Sequence, residues 1–523
     1  LSWGAQAPAR VAAAEQHHER PLPADFNEPI RLYTVGLGKF TRPISSSNAE
    51  AKAYFDQGFQ LMYAFAKVEA GRSFREAQKR DPQCAICYWG EAWAWGSYIN
   101  GRMTAEQAPR AYAAIRKAVA LAARHASPKE KAFIEAMAVR YVEPFDPAKR
   151  VDQDRAYARA MERVAEAYPD DLDAATLYAE ALFLTLPRPG MFDINDPTVA
   201  RLLRVLERAL KSDLRHPGAC HLYIHTTELT TQPERAVPCA EYLGNSIPGA
   251  SHINHMPSHT WTRVGRWGDA VRASLQAWQS DQKAARGEGF ATYPAHDLQM
   301  LAFAASMDGQ GGLAIQAGRG LATLTKDSMY HALTLIRFGR FDEISGIGER
   351  PADDVSGGVW DFAQGYAQLR RGDAKSAERS LDRVVTVAAA SKAVFKIHPA
   401  TTLLGTLGAI LEGEIYRAAA DLPAALAAFE RAALLEDLLI VDDPPPLPFA
   451  ARHWLGAALL DARRFADAER VYREDLGQHP HNGWSLLGLQ QALKAQGKSS
   501  AAVDTDLRNS WARADTVIRA SRF

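Results

Sequence analysis

The chain has 523 residues, 47% of them hydrophobic and 23% charged, with Lys+Arg and Asp+Glu balanced at 61 each. That balance offers no basic face for nucleic acid, and no apolar run reaches the roughly 18 residues of a membrane-spanning helix, so neither nucleic acid nor membrane insertion is expected. A chain of this length outgrows one compact core unless it is extended or repetitive, and abundant alanine with few Val/Ile/Thr-rich stretches predicts an all-α fold.

Residues 1–45 read as an extended N-terminal segment, lying over the body of the protein or partly disordered. LSWGAQAPAR contains Ala5-Gln6-Ala7, the small-x-small look of a signal-peptidase site. Residues 1–7 are therefore a candidate signal-peptide remnant, and the expected location is periplasmic or secreted, with cytoplasmic as the alternative. From residue 46 the pattern turns to helical hairpins, first VEAGRSFREAQKRDP into CAICYWGEAWAWG, then DAATLYAEALFLTL. Cys84-Ala-Ile-Cys87 opens a predicted helix after Asp81-Pro82. Without a βαβ context, packing cysteines or a structural disulfide are expected there in preference to a redox pair. Whether Cys84 and Cys87, or Cys220 and Cys239, are bonded stays open.

Further along, PERAVPCAEYL and WGDAVRASLQAW place Ala236-Val237 and Ala270-Val271 34 residues apart. Near the C-terminal end the same spacing of 34 separates Leu459 from Leu493 and Ala468 from Ala502. Helix, short turn and helix repeated at that period is the layout of a tetratricopeptide repeat. One hairpin cannot bury its own apolar face, so neighbours stack into a superhelix with a concave groove. The expected organisation is a helical array over 46–330 and a second over 331–523, with long connections near 187–196, 284–294 and 346–357. DDPPPLP at 442–448 reads as a rigid loop.

Seven of the 15 histidines lie between residues 216 and 296. In HPGACHLYIHTTELT, with Pro217 at the first helical position, His221, His225 and Glu228 share one helical stripe. In SHINHMPSHTWTRVG, His252, His255 and His259 share another if the helix includes all three, which Pro257 restricts. His221 to His255 and His225 to His259 are both 34, so the two stripes are in register. Aligning VGRWGDAV with MDGQGGLAI puts His296 at the position of His252 and Gln299 at that of His255. His255 and His259 are then expected beside His221 and His225, with His296 near His252. His216 reads as a capping or loop residue.

Crowded neutral imidazoles on a dry face would leave donors unpaired, and a metal resolves this by accepting nitrogen lone pairs. A bound transition metal is favoured over a polar substrate groove without metal, and over structural hydrogen bonding alone. Six imidazoles and a carboxylate exceed one four-coordinate zinc, so one or two ions are expected; copper is favoured, with iron or zinc as alternatives. There is no HExxH. The favoured function is a metal-dependent oxidoreductase acting on a small molecule, with metal ligands His221, His225, His252, His255, His259 and His296 and Glu228 as ligand or general base. Tyr223 and Trp261 are among the aromatics that could wall a substrate pocket. The alternatives are a scaffold that binds a peptide or protein in its concave groove, or a metal-storage or delivery protein.

AFAKVEAGRSFREAQKRDPQCAICYWGEAWAWG, HPGACHLYIHTTE, HINHMPSHTWTRVGRWGDAV and VYREDLGQHPHNGWSLLGLQQAL resemble a group of poorly characterised bacterial tetratricopeptide-repeat proteins, across nearly the whole chain after residue 50. The resemblance implies histidine at the positions of His221, His225, His252, His255, His259 and His296. It also marks departures: Lys67 and Gln299 stand where relatives tend to have histidine, and Val441 where they tend to have tyrosine. Those departures imply a reduced or altered centre, with Lys67 and Gln299 available to substrate.

Overall fold

The computed structural model describes residues 28–188 and 190–523. The candidate leader at residues 1–7 lies outside the described residues. Among the described residues the fold is an all-α, tetratricopeptide-like solenoid of stacked hairpins. The only strands there are Val394–Phe395 and His398–Pro399, a minimal antiparallel hairpin. No described helix is long and apolar enough to cross a membrane. The expected cut at 330/331 falls inside the helix Met329–Arg337.

The hairpins stack by a recurring rule. Near the start, the Phe74 ring lies against Gly58 and Gly90, where an added Cβ would come within 2.8 and 2.5 Å of it. Near the end, Tyr472 lies against Gly456 and Gly488 in the same way, at 2.4 and 2.0 Å. In both cases the aromatic of a second helix enters the space that two successive first helices leave by carrying no side chain. The turns repeat too. Two residues before the following helix, the backbone becomes left-handed at Phe65, Gly265, Gly309, Gly339, Gly372, Ala420 and Arg463, and four residues before it at Gly497. Glycine takes that conformation freely, as at helix C-termini generally. Phe65 takes it with a bulky side chain (φ 58°).

Residues 28–48 form a strap over the first hairpin. Gln57 and Gln60, both buried, accept from the backbone N–H groups of Tyr33 and Gly38 at 2.8 and 2.7 Å. The strap also reaches the middle of the chain, where Gly249 N–H donates to Gly36 at 2.8 Å. At the other end the array curls back. Trp484 Nε1 donates to the Ser306 carbonyl and Trp267 Nε1 to that of Pro480, each at 2.8 Å. Disulfides join Cys84 to Cys87 and Cys220 to Cys239.

Candidate metal centre

Three first helices meet at the histidines. The helix Pro217–Glu228 packs against Pro257–Arg263, and Ser251–His255 packs against Pro294–Met307. Met256 has helical backbone (φ −51°, ψ −38°), so Ser251–His255 and Pro257–Arg263 follow one nearly continuous path. Pro257 stands at a first helical position, where its missing N–H costs nothing. His221, His225, His252, His255 and His259 are all buried, while His296 is half-buried.

The imidazoles form two triads. His221, His225 and His252 bring one ring nitrogen each within 4.8 Å of one another, and so do His255, His259 and His296. This corrects the expected pairing. His252 belongs with His221 and His225, its ring 4.9 and 5.8 Å from theirs. His296 stands 4.6 Å from His255 and 5.6 Å from His259, ring to ring. The 34-residue register aligns positions on neighbouring helices, but stagger between the helices decides which rings meet. His252, a turn before Pro257, faces back to the Pro217–Glu228 helix. The triads touch where His225 and His259 rings lie 5.5 Å apart.

Each of four rings is held from behind through Nδ1. His221 Nδ1 lies 2.5 Å from the Tyr63 carbonyl, and His225 Nδ1 2.8 Å from Glu228 Oε1. His259 Nδ1 is 2.6 Å from Glu228 Oε2 and 3.2 Å from Asp443 Oδ2. His255 Nδ1 is 3.3 Å from Asp297 Oδ1. A carbonyl or ionised carboxylate only accepts, so the Tyr63 carbonyl and Glu228 fix the protons of His221 and His225 on Nδ1 and turn those two Nε2 lone pairs inward. Glu228 and Asp443 likewise keep a proton on Nδ1 of His259. Nε2 atoms then meet face to face: His255 and His259 at 2.7 Å, His221 and His252 at 3.1 Å. His225 Nε2 and His252 Nδ1 are buried with no hydrogen-bond partner.

The electrostatics divide the set. Burial, reinforced by neighbouring imidazoles, pushes His221, His252 and His255 well below the ordinary histidine value. Burial also lowers His225, against the pull of Glu228. His259 is the exception: burial opposes its charge, but Glu228 and Asp443 outweigh that and raise it to about 10. Burial and the neighbouring Asp281 carboxylate hold Asp297 protonated well above its ordinary range.

Phe65, presented by its strained turn, lies over the first triad, 4.2 Å from the His221 ring and 5.2 Å from that of His252. Lys67 opens the next helix; its Nζ donates to the Gly96 carbonyl at 2.5 Å and lies 4.3 Å above the Tyr98 ring. Tyr98 OH meets Tyr293 OH at 2.5 Å, and Tyr293 stands against His252. A narrow cavity beside His221 is lined by Phe65, Trp93, Ile99, Thr176 and Glu180. Gln299 donates to Tyr330 OH and joins neither triad. Tyr223 bonds Glu207 at 2.7 Å, and Trp261 stacks under Arg266 at 3.9 Å, both away from the rings. Each is two residues from a histidine of its own helix, so about 200° around it. His216 caps its helix, accepting from Ala219 N–H at 3.1 Å.

Sequence reasoning missed two carboxylates. Asp443 comes from the Pro-rich loop, 184 residues beyond His259, with no periodic signal to place it. Asp297 directly follows His296, and its neighbour could have drawn attention to it.

No protein-family model matches the chain, and no curated protein matches it. Among solved structures it is similar to a chain of the APC/C hetero-tetramer Cut9–Hcn1 (13% identity, 89% of this chain and 76% of that one, TM-score 0.29). It is also similar to yeast Tom70 (11%, 88% and 98%, TM-score 0.33) and to the P58(IPK) TPR domain (10%, 86% and 99%, TM-score 0.22). At such identities and TM-scores the likeness says nothing of chemistry.

Proposed function

We propose that the protein binds one or two transition-metal ions between its two histidine triads, copper favoured and iron or zinc as alternatives, and that the centre serves a metal-dependent oxidoreductase acting on a small molecule. The observation that carries the reading is the inward-facing Nε2 pairs, 2.7 and 3.1 Å apart, with His221 and His259 held from behind through Nδ1 and His252 Nδ1 and His225 Nε2 left buried without a partner. The charged His259 donates its second N–H to His255 Nε2, and His252 can donate to His221 Nε2 only by leaving its own Nδ1 an unpaired acceptor. A cation at each pair would replace those protons and take the inward lone pairs. Imidazoles whose second nitrogen is held by a carboxylate or carbonyl are the usual support of a metal site.

His221, His225 and His252 would hold one ion, and His255, His259 and His296 a second. A bound ion would supply Lewis acidity or electron transfer. Glu228, with an oxygen on each of His225 and His259, orients one ring of each triad and couples the two. The cavity beside His221, about 20 Å³, has room for roughly one water, so a substrate would enter only by displacing its walls, with Lys67 and Tyr98 near it. Lys67 and Gln299, the departures from the bacterial group that the chain resembles, belong in this reading to the surroundings of the centre and not to its ligands. The two disulfides favour a periplasmic or secreted location.

Elemental analysis after metal-replete expression tests the proposal. We expect one to two equivalents in the native protein and loss of at least the first in His221→Ala/His225→Ala. Substoichiometric metal in both would sink it. Oxygen consumption with phenols or amines then separates an enzyme from a storage or delivery protein carrying the same ligands.

A further inference from the structure

Residues 514–523 run without helix or strand, bending at 519–521, across the C-terminal hairpins, where they touch residues from Gly311 to Gln491. From Ala514 to Ala520 burial alternates: Ala514, Thr516, Ile518 and Ala520 face the protein, while Asp515, Val517 and Arg519 face solvent; Ser521 ends the alternation by being buried. Such a period of two is that of a strand-like peptide read on one side. The carbonyls of Arg519, Ser521 and Phe523 each accept from a side chain of a different helix: Gln491 at 2.9 Å, Arg337 at 3.3 Å and Tyr366 at 3.1 Å. Main-chain contacts of this sort hold an extended peptide with little regard to its sequence.

Three side chains add selectivity. Ser521, fully buried, accepts from Tyr472 OH at 2.8 Å and donates to the His453 carbonyl at 2.6 Å. Arg522 lies 3.3 Å from the buried Glu414. Phe523 covers Gly339, where a Cβ would approach its ring to 2.8 Å, and stands against Trp484. Arg337 itself is 1% exposed, stacked 3.4 Å over Trp484, with Nε and Nη2 unpartnered. A guanidinium buried on that scale, whose hydrogen bond goes to a peptide carbonyl, is a fitting for a ligand and a poor device for stability.

We propose that the surface formed by Arg337, Tyr366, Glu414, Tyr472, Trp484 and Gln491 is a peptide-binding groove, occupied in cis by residues 513–523. Its partner in trans is an extended peptide carrying a serine, an arginine and an aromatic in succession. The cis segment blocks that partner until it is displaced. A tethered segment acts at an effective concentration on the order of millimolar, so a free peptide at micromolar concentration loses to it.

The test inserts a protease recognition sequence between Ala512 and Arg513, both exposed, in the full chain. The probe is a fluorescent peptide of residues 513–523. We expect no uptake of micromolar probe before cleavage and saturable 1:1 exchange after it, an apparent affinity gain of about 100-fold or more. A probe carrying Ser521→Glu should bind at least about tenfold more weakly, the direction expected when a charge enters a buried site. A second route needs no cut: Arg522→Glu in the full chain sets a carboxylate against Glu414 and should admit the native probe. Failure of uptake by the cleaved chain with its helical circular dichroism retained overturns the proposal. So does equal binding of the Ser521→Glu probe, or refusal of the native probe by a folded Arg522→Glu chain.

Discussion

Among the described residues two histidine clusters, one central and one C-terminal, solve the same problem in opposite ways. In the C-terminal array His453 and His479 share one carboxylate, with Asp475 3.1 and 2.9 Å away on its two oxygens. Asn482 and Ser485 donate to the same group at 3.0 and 2.5 Å, and His453 Nδ1 faces the Ala450 N–H at 3.4 Å. Both nitrogens of His453 and Nδ1 of His479 thus meet an oxygen or an N–H donor. In the central cluster the outer nitrogens of His221, His225 and His259 are treated the same way, but His252 Nδ1 and His225 Nε2 have no partner and the remaining inner nitrogens meet only each other. Buried histidine by itself is therefore no sign of metal. What distinguishes the two regions is where the second nitrogen points.

The largest effect is expected where polar satisfaction is complete. Asp475→Ala leaves two imidazoles, an amide and a hydroxyl without their acceptor, so unfolding in denaturant should come about 3–5 kcal/mol earlier. Metal content should not change. If Asp475→Ala strips metal from the centre, the two clusters are not independent and the contrast fails.

Metal should act on the other cluster alone. At a thousandfold over Kd, an ion that binds only the folded chain stabilises it by about 4 kcal/mol. We expect a rise in melting temperature on adding metal and its reversal by chelator. His221→Ala/His225→Ala should diminish the response, and His453→Ala should leave it intact. A response that survives the double substitution would place the ion elsewhere.

The pH dependence of the C-terminal cluster should be bell-shaped. Burial pushes His453 down to about 4, so it is neutral when folded. Its contribution is present above the unfolded value near 6.5 and is lost as pH falls from there toward 4, an effect of about 3 kcal/mol. His479 has the opposite sign: burial opposes its charge, but Asp475 outweighs this and raises it. Its contribution is present below about 6.5 and is lost as pH rises through the folded value. His453→Gln should flatten the acid limb and spare the alkaline one in pH-resolved unfolding. An acid limb that stays steep would assign it to other groups.

Much of this contrast was legible in the sequence, and the rest was hidden for physical reasons. The 34-residue spacing indicated stacked hairpins and brought the right helices together, because periodic burial is a local property. It did not assign His252 and His296 to their triads, since stagger between neighbouring helices is set by packing and not by alignment. Asp443 reaches His259 from a loop without periodicity. The outward course of Tyr223 and Trp261 could have been read from the helical period alone, because a step of two residues turns the side chain to the far face. Phe65 gave no signal, since a left-handed turn that glycine usually fills says nothing of an aromatic placed there.

The smallest effect is the most discriminating. Glu228 holds Nδ1 of His225 at 2.8 Å and of His259 at 2.6 Å, one oxygen to each ring. Gln at this position keeps one acceptor and turns an N–H group toward the other imidazole. One ring must then rotate or move its proton to Nε2, where it blocks the inward lone pair. Loss of a supporting group behind a metal ligand weakens affinity by about 10–100-fold. We therefore expect Glu228→Gln to bind metal that much more weakly in a chelator competition, with both triads affected because the carboxylate serves one ring of each. Glu228→Ala should weaken binding comparably, since His225 loses its acceptor and His259 keeps only Asp443 at 3.2 Å. Unchanged affinity in both variants would mean that ring orientation does not depend on the carboxylate behind it. The contrast with Asp475, where the carboxylate is itself the solution, would then lose its basis.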